Sequence, residues 1–265
     1  MTYLQAIIIA IIEGLTEFLP ISSTYHMKLT SVIMGIKDND EFIKLFIESI
    51  QFGAIISVIV LYWRKFFDFT KLSFYYKIIV AFVPAGIVGY FLKPYIEVIL
   101  GKLLIMTIIT FLGGFLLLYV DKWFNKSTEE NFDKVTYKKS FIIGIFQLLA
   151  IVFPGFSRSF ATIMGGMQQK LSRKLAAEFS FFLAVPTLAG AFVKSIYDAY
   201  KHNPIYLKGE YLNFIILGNI IAFIVAMIAI KGFIAILTKY GFKAFGYYRI
   251  ILGAAIILLI AFHII

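Results

Sequence analysis

The residues able to do chemistry are concentrated in two short stretches. The first is 13-EGLTEFLPISSTYH-26. Glu13 and Glu17 are spaced i, i+4, so on a helix they share a face with Cβ atoms about 5–6 Å apart. An ionised carboxylate at membrane depth costs several kcal/mol unless it is paired or hydrated. Two on one face also repel. The pair becomes reasonable if a divalent cation lies between them or if they share a proton; otherwise they mark a helix end in the headgroup region. Pro20 ends that helix. Ser22, Ser23 or Thr24 caps the next one, a task that needs one hydroxyl of the three. His26 follows within a turn. A hydroxyl beside an imidazole and a carboxylate is the group set of nucleophilic or general-base chemistry.

The second stretch is 154-PGFSRSFATIMGG-166. Arg158 is the one arginine that the apolar pattern places deep. A guanidinium keeps its charge and needs an anionic partner. Glu13 or Glu17 would serve structurally; a phosphate would serve functionally, because the Arg fork matches phosphate oxygens. Ser157 and Ser159 flank Arg158 at the start of a half-helix, whose free N–H groups also favour an anion.

The elements that must position these groups follow from composition. Of 265 residues, 61% are hydrophobic and 15% charged, against roughly 45–50% and about 25% in soluble domains. The chain therefore reads as an all-α polytopic membrane protein, a single integral domain over 1–265. The formal charge of +10 fits basic cytoplasmic loops. Its basic residues are scattered between apolar runs, which argues against a nucleic-acid partner. There is no cysteine, which excludes disulfides and thiolate metal sites. No cleavable leader is expected, since the first basic residue is Lys28 and Glu13 and Glu17 interrupt the apolar run.

A spanning helix needs about 20 apolar residues. Six segments qualify: 41–63, 77–93, 102–120, 174–196, 211–230 and 249–264. Residues 3–35 and 140–167 are broken at Pro20 and at Pro154-Gly155, and read as re-entrant helical hairpins. Irregular backbone at that depth must be surrounded by protein or water. Placing 64–77, 121–139, 168–174 and 231–249 in the cytoplasm gives those loops 16 of the 25 basic residues, as the positive-inside rule requires. That layout puts both termini outside and opens the hairpins in opposite directions. An inverted-topology repeat is expected, with halves of approximately 1–120 and 121–265 and with Pro20 matching Pro154 and Ser23 matching Ser157. Such repeats bring broken helices together near the midplane. Glu48 and Glu178 read as site residues or as partners of loop lysines. His202 and His263 read as loop and terminus residues.

With these motifs in view, EGLTEFLPISST-x-H and PGFSRS-x-ATI-x-GG resemble the undecaprenyl-diphosphatase family of bacitracin-resistance phosphatases. The likeness extends over IQFGAIISVIVLYW and LSRKLAAEFSFFLAVP, nearly the whole chain. It implies hydrolysis of a C55 polyprenyl diphosphate to the monophosphate carrier of cell-wall synthesis. It also implies a bacterial inner-membrane location with the site on the outer, periplasmic side, a need for Mg²⁺ or Ca²⁺, and homodimers. By position, the family's paired glutamates fall on Glu13 and Glu17, its serine nucleophile on Ser23, its histidine on His26 and its arginine on Arg158. Ser22, Thr24, Ser157 and Ser159 then join Arg158 around the phosphates. Tyr25 and Phe160 depart from the pattern, standing where the family usually has small residues. A transporter of polyprenyl phosphate using the same pocket is the competing function, and the repeat suits it.

Overall fold

The computed structural model describes residues 1–36, 40–100 and 102–264, with the backbone alone at 93, 94 and 96–100. The described residues form helices α1 (Tyr3–Thr16), α2 (Ser23–Ile33), α3 (Glu41–Leu61), α4 (Trp63–Phe66), α5 (Leu72–Leu100), α6 (Leu103–Trp123), α7 (Tyr137–Val152), α8 (Arg158–Gln168), α9 (Arg173–His202), α10 (Gly209–Tyr240) and α11 (Lys243–Ala261). Six of them are long and apolar enough to cross a membrane: α3, α5 over Leu72–Leu92, α6, α9, α10 and α11. These are the six segments expected. Several boundaries differ, and two of the shifts remove an expected loop. α10 runs on to Tyr240 and α11 begins at Lys243, because Lys231, Lys239, Lys243 and Arg249 lie on helices rather than in a loop.

The two broken segments are helix–break–helix units. Their arms have 14, 11, 16 and 11 residues. At about 1.5 Å per residue none exceeds roughly 24 Å, short of a hydrocarbon core about 30 Å thick. Both breaks end the same way. Ser22 caps α2 with φ +71°, and Ser157 caps α8 with φ +81°. Each side chain accepts from the N–H three residues on, Tyr25 N at 3.4 Å and Phe160 N at 3.3 Å. A non-glycine residue with positive φ costs on the order of 1–3 kcal/mol and persists where its surroundings over-determine it. By cap position, Ser157 matches Ser22 and not Ser23, Arg158 matches Ser23 and Phe160 matches Tyr25; the same offset sets Pro154 opposite Leu19, not Pro20.

Packing interleaves the halves. α1 packs on α10 while α7 packs on α5; α3 packs on α10 and α9, and α6 on α11. Each half's first arm thus lies against the other half's long helix. The largest apolar core gathers Phe18 and Ile21 from the first break, Phe156 and Phe160 around the second, and Phe179, Phe181 and Phe182 of α9. Two hairpin tips separated by more than a hundred residues are thereby fixed against each other.

Candidate active site

The two tips are tied by polar contacts that leave little freedom. Ser159 Oγ donates to Glu17 O at 2.8 Å, and Ser157 Oγ to Leu19 O at 3.4 Å. Arg158 Nη2 meets Glu17 Oε1 at 2.7 Å, although the two are 141 residues apart in sequence. Its Nη1 donates to Ser180 O at 3.3 Å. Ser180 Oγ in turn bonds Thr162 Oγ1 at 2.6 Å, and Thr162 Oγ1 also donates to Arg158 O at 2.9 Å. The arginine is thus held from α9 and from its own helix. Ser23 Oγ donates to Glu17 Oε2. One carboxylate therefore joins a guanidinium through one oxygen and a serine hydroxyl through the other.

Glu13, one turn before Glu17, is fully buried, and neither of its carboxyl oxygens has a hydrogen-bond partner. Arg158 Nε is also buried and unpartnered. Buried polar groups are nearly always satisfied, so each orphan requires an explanation. Two acceptors and one cationic donor left open beside a paired carboxylate match a ligand carrying both a cation and an anion. The described residues contain no cluster of three or more His, Asp or Glu able to hold a metal. A cation here would draw two carboxylates from the protein and its other ligands from elsewhere. Mg²⁺ is commonly held that way, by one or two carboxylates plus phosphate and water oxygens.

The remaining expected site residues take other positions. Ser22 and Ser157 are caps, and Ser159 ties the breaks together, so these hydroxyls already have partners in the chain. Thr24 is half-buried at the second residue of α2. His26 is buried and directed elsewhere: Nδ1 lies 2.7 Å from Ser22 O, and Nε2 lies 2.7 Å from the Tyr248 hydroxyl. Ser23 thus gives its proton bond to Glu17, not to His26. Tyr25 is fully buried in an apolar cluster with Leu29, Met106 and Ile256, and its ring is packing. Phe160 stacks on Phe156 with centroids 4.9 Å apart. Glu178 pairs with Lys65 at 3.2 Å, and Glu48 accepts from Ser195.

Sequence similarity shows the family. Residues 6–255 match the family model described as "Bacitracin resistance protein BacA". The chain belongs to the BacA family. Among the relatives of this BacA-family chain is the undecaprenyl-diphosphatase of Flavobacterium johnsoniae, 53% identical over 265 residues and covering 100% of this chain and 98% of the relative. That of Porphyromonas gingivalis is 50% identical over 275 residues, covering 98% and 97%. That of Bdellovibrio bacteriovorus is 47% identical over 262 residues, again covering 98% and 97%.

One residue of this BacA-family chain was misplaced by sequence reasoning. Arg249 stands where the 231–249 loop meets the 249–264 span in the sequence pattern, which places Arg158 alone among the arginines at depth. Arg249 is fully buried on α11. Its Nη1 donates to Pro20 O at 3.2 Å and to Phe156 O at 2.8 Å; its Nη2 donates to Gly155 O at 3.0 Å. Both breaks therefore share one guanidinium. Nε reaches Thr110 O at 3.0 Å, and the cation lies 5.7 Å from the Phe160 ring centroid. Space for it exists because Gly113 has no side chain: a Cβ there would lie 2.4 Å from Arg249 Nη2. Hydropathy alone reads an arginine at the edge of an apolar run as an interface residue. The available signal was the Gly113-Gly114 pair within α6, which leaves room for a neighbouring side chain.

Proposed function

We infer that this chain is a multi-pass membrane enzyme that hydrolyses undecaprenyl diphosphate to undecaprenyl phosphate and inorganic phosphate. The reaction recycles the lipid carrier for peptidoglycan synthesis and confers bacitracin resistance. Family membership and the diphosphatase names of relatives near 50% identity support it. Those names do not favour the transport reading. The single structural observation that carries the chemistry is Glu17, joined to both Arg158 and Ser23 beside the open valences of Glu13 and Arg158 Nε.

In this reading Arg158 exchanges part of its contact with Glu17 for phosphate oxygens, and its free Nε–H supplies a further donor. Preorganised donors of this kind act where charge develops in the transition state. Glu17 accepts the Ser23 proton as Ser23 Oγ attacks the terminal phosphorus. The bond from that phosphorus to the bridging oxygen breaks, and the lipid monophosphate leaves. Water then displaces Ser23 to release inorganic phosphate. Direct attack by a water held between Ser23 and Glu17 would use the same residues. Glu13 and Glu17 would hold a divalent cation, Mg²⁺ or Ca²⁺, which neutralises phosphate charge when bound.

The location that goes with this reading is the bacterial inner membrane, with the two short-armed units re-entrant from opposite faces and the site opening to the periplasmic side. The chain then forms one integral domain of two inverted halves. Homodimers are in keeping with the family resemblance. The test is phosphate release from undecaprenyl diphosphate by protein purified in detergent, with and without Mg²⁺. Turnover in detergent establishes hydrolysis, which needs no sealed compartment. Binding without release, together with lipid-phosphate movement across sealed vesicles, would overturn it in favour of transport.

A further inference from the structure

Tyr248 has no part in the chemistry above, yet it makes a defined contact with a site residue 222 positions away. Its hydroxyl is 2.7 Å from His26 Nε2, and the two rings stack with centroids 5.7 Å apart and planes 10° from parallel. The opposite ring nitrogen, Nδ1, is 2.7 Å from Ser22 O. A carbonyl can only accept, so Nδ1 carries the hydrogen. In the neutral ring Nε2 is then a bare acceptor, and the tyrosine hydroxyl is its donor. The stack adds a geometric constraint, because the imidazole cannot rotate about its Cβ–Cγ bond without losing both hydrogen bonds.

We propose that Tyr248 is a positioning residue: Ser22 O sets the His26 proton on Nδ1, and the Tyr248 hydroxyl, donating to the bare Nε2, occupies that nitrogen so that the imidazole does not compete with Glu17 for the Ser23 proton. Three observations carry it. Ser23 Oγ is already given to Glu17. Both nitrogens of His26 are engaged, one with the strained cap residue that opens α2 and one with α11. Tyr248 directly precedes Arg249, which binds both breaks, so α11 fixes the tips and the histidine with adjacent residues. The catalytic consequence rests on the reading of Ser23 and Glu17 given above; the tautomer does not.

The chain has three histidines, and His202 and His263 are exposed, so ¹⁵N-histidine labelling isolates His26 in an NMR spectrum. The wild-type protein should show one histidine with its proton fixed on Nδ1, while the other two show the solvent mixture of tautomers. Tyr248→Phe, which keeps the stacked ring, should move the His26 Nε2 resonance; Tyr247→Phe should not. In the detergent assay Tyr248→Phe should lower kcat about tenfold, about 1.4 kcal/mol of barrier, with KM within twofold. The same substitution in a His26→Asn background should have no further effect. A His26 proton on Nε2, an unmoved Nε2 resonance in Tyr248→Phe, or a full additional loss in the His26→Asn background would overturn the proposal. Retained turnover in Glu17→Gln would instead overturn the reading of Ser23 and Glu17, and it would leave the NMR result standing.

Discussion

Replacing Arg249 by lysine keeps the buried charge and removes the fork. The guanidinium makes five contacts with carbonyl oxygens: Thr110 through Nε, Pro20 and Phe156 through Nη1, and Ile109 and Gly155 through Nη2. Ile109 and Thr110 lie in the α6 ladder, and Gly155 O also accepts from Thr110 Oγ1 at 3.1 Å, so these three have other donors. Among the described residues, Pro20 O and Phe156 O have Arg249 Nη1 alone. An ammonium has three donors around one point on a shorter stem and cannot serve both breaks in this geometry. Each lost bond from a charged donor is worth about 1.5–3 kcal/mol, so losing both Nη1 contacts costs about 3–6 kcal/mol. If about half of that falls on the alignment of the tips, the barrier rises by about 1.5–3 kcal/mol, roughly ten- to hundredfold in kcat. Phosphate release in detergent measures this, with circular dichroism to show that the helices are retained. Turnover of Arg249→Lys within threefold of wild type would refute the claim that one guanidinium holds the two breaks in register.

Three further outcomes follow from the same geometry. Arg158→Lys should lower turnover at least hundredfold, because the bridge from Glu17 Oε1 to Ser180 O and the spare Nε–H are lost together; near-normal turnover would mean that charge alone matters. Glu13→Gln should raise the Mg²⁺ concentration for half-maximal activity at least tenfold, and an unchanged metal titration would remove Glu13 from the cation site. Tyr25→Gly should change turnover less than threefold while lowering thermal stability, through the lost cluster with Leu29, Met106 and Ile256 and lost helix propensity; a tenfold rise in turnover would show that the ring obstructs substrate.

The spanning helices were legible because each is a long apolar run, and the hairpins because Pro20 and Pro154 interrupt runs too short to resume as spans. That Glu17, Ser23 and Arg158 meet was legible for one reason: a buried charge is expensive alone at membrane depth, and the low-cost arrangement is to bring such groups together. Two matters were hidden. A one-residue shift in the repeat register is invisible when both breaks carry serines side by side; only the backbone, through the positive φ of Ser22 and Ser157, identifies the equivalent caps. The roles of Tyr248 and Arg249 depend on α11 packing against α6 and the tips, a long-range contact with no local pattern. An aromatic beside an arginine at the end of an apolar run reads equally as an interfacial anchor; burial separates Arg249 from that reading, and the bond to His26 separates Tyr248.

A double-mutant cycle in the phosphate-release assay tests whether Glu17 and Arg158 work as one unit across the two hairpins. Residues acting as a unit are strongly non-additive. Glu17→Gln and Arg158→Gln should each lower kcat/KM at least hundredfold, and the double variant should lie within about tenfold of the worse single. A double variant whose loss equals the product of the two single losses would contradict the shared site, as would either single variant that retains wild-type hydrolysis of undecaprenyl diphosphate.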